Sequence, residues 1–153
     1  MQLPHLSSSA PRVLSISPNE QDHGSLAKML HPIWRLRTAR TLRSGLKTLA
    51  KLRIAVVLCE CDLLPGSWRD VLDITAKRSP PPHLIVTSRL ADEGLWAEVL
   101  NLGGFDVLEK PYRSEEVRQV VNGAWQRWIE RYEPALVSKP VHQVALAAKM
   151  KSA

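Results

Sequence analysis

Short apolar blocks alternate along the chain with segments whose apolar residues recur at helical spacing. Arg12, Val13, Leu14, Ser15, Ile16 and Ser17 read as a first strand, ended by Pro18. Asn19 is placed to cap a helix running to Leu30, with Leu26, Met29 and Leu30 on one face and Pro32 as its stop. Residues 34–38 alternate apolar and basic side chains and predict a strand near a sheet edge. A helix over 41–52 carries Leu42, Leu46, Leu49 and Ala50 on one side. Residues 54–59 are continuously apolar, the pattern of a strand covered on both faces. A turn at 64–67 introduces a helix with Trp68, Val71, Leu72 and Ile74, and the prolines at 80–82 form a stiff connector into a second buried strand over 83–87. A helix over 92–102 is closed by Gly103 and Gly104, the usual left-handed stop, and 106–109 is a short strand. Ser114 is expected to cap the last helix, with Glu115 and Glu116 at its positive end and Val117, Val120, Val121, Ala124 and Trp128 as its apolar stripe.

Five strand-then-helix units in succession imply an α/β domain: a five-stranded parallel sheet, doubly wound as a three-layer (βα)5 sandwich with right-handed crossovers. Periodicity fades after Tyr132, so the expected division is a flexible segment 1–11, a domain 12–132 and a basic, mobile tail 133–153. At 153 residues the chain can bury one core without staples. No apolar run is long enough to cross a bilayer, and residues 1–11 lack the basic start and apolar stretch of a secretion signal, which makes the cytoplasm the expected location. Cys59 and Cys61 lie too close for an ordinary disulfide and lack zinc-site spacing, so they read as small buried apolar residues.

The net charge of +6 is unevenly placed. No Asp or Glu occurs between His23 and Cys59, a stretch holding Lys28, Arg35, Arg37, Arg40, Arg43, Lys47, Lys51 and Arg53. Such a patch attracts nucleic acid or an acidic partner. Without interleaved aromatics, a helix-turn-helix or a zinc pattern, a solvated basic face is the competing reading, and nucleic acid is disfavoured while the 35–53 patch leaves it open.

Sites in parallel sheets lie beyond the carboxyl ends of the strands. The candidates are therefore Ser17 and Pro18, residues 59–62, Thr87 and Ser88, and Lys110. The segment Gly103, Gly104, Phe105, Asp106, Val107, Leu108, Glu109, Lys110, Pro111, Tyr112 resembles the glycine helix stop, short strand and Lys-Pro-aromatic of bacterial response-regulator receiver domains. Thr87 and Ser88 match the hydroxyl and small residues that close the family's fourth strand, and the apolar third strand with its Pro-Gly turn matches the segment bearing the phosphorylated aspartate. The resemblance spans residues 12–132 and implies a flavodoxin-like fold and a non-enzymatic role in phosphorelay signal transduction.

In that family an acidic pair after the first strand holds Mg²⁺, and the Thr/Ser and Lys grip the phosphoryl oxygens. Here the acidic pair falls on Ser17 and Pro18, while Asn19, Glu20 and Asp22 belong to the helix start and are read as pointing away. No metal is expected, and Mg²⁺ enters only if the acidic pocket is functional. The phosphoacceptor position falls on Glu60 when aligned on Gly66, with Cys61 and Asp62 as alternatives. Glu60 is expected to pair with Lys110 and hold the domain in one state. The family's rotating aromatic aligns with Val107, which has no ring to switch.

These features imply an atypical, stand-alone pseudo-receiver of a two-component system, poorly phosphorylated or not at all, which works through protein contacts. The expected partner surface is the face of 92–102, the fifth strand and 114–132, with Trp96, Val107, Tyr112 and Trp125 as anchors and core packing as the competing role for at least one of Trp96, Trp125 and Trp128. A histidine kinase or another signalling protein is the expected partner, with a homodimer open. The alternatives are a conventional phosphoacceptor using Asp62, or a small flavodoxin-like ligand-binding protein, against which the absence of glycine from the 17–22 loop argues.

Overall fold

The computed structural model describes residues 12–134, so the segment 1–11 and nearly all of the expected tail lie outside the described residues. The chain alternates β1 (Arg12–Ile16), α1 (Glu20–Leu30), β2 (Leu36–Ala39), α2 (Leu42–Lys51), β3 (Ile54–Glu60), α3 (Trp68–Thr75), β4 (His83–Ser88), α4 (Glu93–Asn101), β5 (Asp106–Glu109) and α5 (Ser114–Tyr132). The strands form one parallel sheet in the order β2-β1-β3-β4-β5. This is the doubly wound three-layer sandwich that the alternation predicts.

Side chains of successive strand residues point to opposite faces, and both faces are covered. Val13, Val56, Leu58, Ile85 and Leu108 meet Leu26 and Leu30 of α1 and Val117, Val121 and Trp128 of α5. Leu14, Ile16, Val57, Cys59, Leu84 and Val86 meet Leu49 of α2, Trp68 and Val71 of α3 and Val99 of α4. The continuous apolar character of β3 follows directly from lying in the middle of this arrangement. Trp128 is fully buried, and its Nε1 donates to the Pro81 carbonyl at 2.9 Å, so its polar edge is satisfied inside the core.

Three expectations need correction. The second strand is Leu36–Ala39, not 34–38: the Trp34 amide donates to Leu30 O at 3.1 Å, prolonging the α1 turn and sending the indole into the core, where only 8% remains exposed. Arg113, not Ser114, occupies the cap of α5, with no side-chain cap hydrogen bond; Ser114 is already helical. Ile74 is 41% exposed and does not share the buried face of Trp68 and Val71.

Candidate functional site

The carboxyl ends of β1, β3, β4 and β5 converge on one rim, on the side of the sheet covered by α1 and α5. Asn19 caps α1 by accepting from the Gln21 amide at 3.0 Å, while its own amide donates to Ser17 Oγ at 3.1 Å. That cap fixes the phase of the helix and turns Asp22 and His23 inward, where both are buried. His23 Nε2 lies 2.9 Å from Ser17 O; a carbonyl only accepts, so this nitrogen carries the proton. Its Nδ1 then accepts from Ser15 Oγ at 3.0 Å in the neutral ring.

The centre of the rim is an ammonium between two carboxylates. Lys110, immediately after β5, places Nζ 2.7 Å from Asp22 Oδ2 and in contact with Glu60 Oε1. The three side chains are only 8 to 14% exposed. Ser17 Oγ donates to the same Asp22 oxygen at 2.6 Å. The backbone of Lys110 is held by its amide on Ser88 O at 2.9 Å, so the fourth strand positions the lysine that serves the first and third. A pair of unit charges about 4 Å apart gains about 4 kcal/mol of Coulomb attraction at an effective dielectric of about 20, and these two pairs are closer than that. Desolvation of the buried charges offsets much of that gain.

Burial alone would lower the Lys110 pKa, but the hydrogen bonds and charges of Asp22 and Glu60 outweigh it and hold the ammonium above its ordinary 10.5. Glu60 and Thr87 are register partners across β3 and β4. The Thr87 hydroxyl in turn reaches the Tyr112 phenol, whose pKa rises through burial and through the nearby Asp22 and Glu60 charges, against the effect of that hydrogen bond. Asn19, Gln21, Arg89, Lys110 and Tyr112 line a cavity of about 390 Å³ beside this cluster.

Glu60, Thr87 and Lys110 thus meet as the sequence predicts, with Glu60 as the last residue of β3. Of the alternatives, Cys61 is half-buried in the following turn, its thiol pKa raised first by burial and then by the Asp62 charge. Asp62 is exposed and bridges to Ser67. Ser17 joins the network, whereas Pro18 is exposed and stands outside it. Ser88 is buried, and its Oγ accepts from the Leu90 amide at 3.1 Å. On the expected partner face Trp96 is 51% exposed, Val107 is half-buried, and Trp125 packs against the core with its Nε1 buried.

One residue differs from the sequence reading and another gains a contact. Asp22 points into the pocket and not away from it, because it is the third residue of a capped helix, where side chains turn back toward the cap. That position relative to Asn19 was the available signal. Tyr112, the expected partner-surface anchor, is half-buried and also reaches Thr87, a link the sequence does not show. A single histidine in a helix carries no spacing signal, so the sequence does not mark His23.

Magnesium demands near-octahedral oxygen ligation, in which it keeps several waters and is held through one or two carboxylates that must be free to reach it. The rim offers Asp22 and Glu60, both already closed on Lys110, and the end of β1 adds no acid. Among the described residues no group of three or more His, Cys, Asp or Glu side chains converges. With both carboxylates paired to Lys110, the rim in this arrangement leaves neither of them free for a magnesium ion.

Solved structures align with this chain over most of its length. The receiver domain of an HD domain-containing protein from Pseudomonas fluorescens Pf-5 superposes with a TM-score of 0.73 at 22% identity, covering 82% of this chain and 93% of that one. The fold is that of the receiver domain. A beryllofluoride-activated NtrC4 receiver domain dimer matches at 0.71 and 24%, over 76% and 98%. A response regulator receiver domain protein from Clostridium thermocellum matches at 0.69 and 21%, over 76% and 95%. No family model and no curated protein matches the sequence. Within the receiver fold, Glu60 ends the central strand and Lys110 follows the edge strand β5.

Proposed function

We propose that this chain is a pseudo-receiver in two-component signalling: a receiver fold whose state is set by an internal ammonium and not by phosphoryl transfer, and which acts through protein contacts. The observation that carries the reading is Lys110 bridging Asp22 and Glu60 beneath Ser17. Phosphoryl transfer needs an acceptor oxygen approached by an electron-rich group, with cations screening both. Here the Lys110 ammonium is committed to two carboxylates, and the Glu60 oxygen that would attack is held by it. The partner is a signalling protein, a histidine kinase among the candidates, and the contact face is formed by α4, β5 and α5 with Trp96 exposed on it.

The test is incubation of the full chain with a small-molecule phosphoryl donor and Mg²⁺, followed by intact-mass measurement. No added phosphoryl mass is expected. A stoichiometric gain mapped to Asp62 overturns the reading in favour of a conventional phosphoacceptor, and a gain on Glu60 overturns it outright.

A further inference from the structure

The strand order sets β2 and β5 at opposite edges of the sheet, and the surface charge divides between those edges. Around β2 and α2, Arg35, Arg37, Arg43 and Lys47 are exposed and make no ion pair among the described residues. Arg40 has only a 3.7 Å contact with Glu20, both side chains about 70% exposed. At the other edge, Asp92, Glu93, Glu109 and Glu116 line a groove of about 260 Å³ together with Trp96 and Val107. None of those four acids makes an ion pair among the described residues, and Lys110 is already committed to Asp22 and Glu60.

We propose that copies of this chain associate head to tail, the acidic Trp96 groove of one copy taking arginines from the β2–α2 edge of the next. The proposal takes from the functional reading only the choice of face. A guanidinium suits this groove because it forms paired hydrogen bonds with carboxylates and stacks on an indole face. The two patches lie at opposite ends of one sheet and cannot meet within a molecule. Every copy carries one of each, so the contact is heterologous and propagates. A symmetric dimer through either edge would set like charges against each other. Nucleic acid would engage the basic edge alone, leaving the acidic groove unexplained, and that edge offers no exposed aromatic for stacking, since Trp34 is buried.

The test is sedimentation velocity on the full chain at salt on the order of 0.01 M and 1 M, where the Debye length is about 30 and 3 Å. Species larger than a dimer should grow with protein concentration at low salt and dissolve to monomer at high salt. An Arg37→Glu/Arg43→Glu variant and a Glu93→Lys/Glu116→Lys variant should each weaken association at least tenfold. The quadruple variant has the natural net charge and should regain it. Trp96→Ala should weaken association with no change of charge, and it remains decisive if the quadruple variant fails the circular-dichroism check of folding. A monomer at every concentration, a dimer that grows no further, or single-edge variants that associate normally would each overturn the proposal. Duplex DNA shifted by the monomer at the same salt overturns it in favour of nucleic acid. The phosphoryl-donor experiment reads the rim and not the edges, so either proposal can fail alone.

Discussion

Lys110 is the side chain on which the rim depends, because removing it leaves Asp22 and Glu60 buried against each other without a counter-charge. Lys110→Met should therefore cost about 3 kcal/mol or more in urea unfolding. Adding Asp22→Asn and Glu60→Gln to that variant should recover the larger part, since no uncompensated charge then remains. The lysine also imposes a pH dependence. Its folded pKa lies above the ordinary 10.5, so its contribution is complete below that value and is lost as pH rises through the elevated one. Urea midpoints titrated from neutrality into the alkaline range should show that loss, and the Asp22→Asn/Glu60→Gln variant should show much less of it. Glu60 and Lys110 were legible from the sequence because strand ends are well marked by apolar runs and by the Lys-Pro pair. Asp22 was not, because one residue of helical phase decides whether a side chain in the first turn faces the sheet or water.

Strands and helices were legible wherever burial is continuous, and least so where one element runs into the next. Alternation at 34–38 looked like a strand, but it cannot show that Trp34 still hydrogen-bonds into the preceding helix. Likewise, serine is a better cap than arginine on intrinsic grounds, yet the backbone after Lys110 and Pro111 brings Arg113 to the cap of α5. The two deepest indoles differ in a way no sequence pattern reveals: Trp128 Nε1 is bonded to Pro81 O, whereas Trp68 Nε1 is buried without a partner among the described residues. Trp128→Phe should consequently destabilise by about 1 kcal/mol more than Trp68→Phe in denaturant titrations. At the end of α4, a side chain at Gly104 would sit 2.4 Å from Val99 Cγ1 and 3.0 Å from the Val99 carbonyl oxygen. Gly104→Ala should lower the melting temperature by several degrees, because the backbone atom cannot step aside.

The domain as a whole is a parallel sheet with chemistry at one rim, titratable bulk near the other, and charge separated along its width. His83, at the opposite end of β4 from Thr87, tilts against Phe105 with ring centroids 5.1 Å apart. Burial lowers its pKa first, and the Arg127 and Arg131 charges add to that effect. A histidine with a depressed folded pKa supports the fold above its ordinary 6.5 and withdraws that support as pH falls through it. Thermal melts should therefore drop on the acid side of neutrality, and His83→Gln should flatten that limb. The layered architecture was readable because each covered strand must be apolar on both sides. Which edge each charge cluster occupies was not, since strand order depends on crossovers that composition does not encode.

The placement of the indoles gives this protein a built-in optical gauge. Trp34, Trp68 and Trp128 are interior and Trp125 is largely screened, so a small collisional quencher such as acrylamide reaches Trp96 far more readily than its four siblings. Emission that can be quenched is therefore emission from the α4–β5 groove. Whatever molecule settles there, labelled or not, reports its arrival as lost quenching.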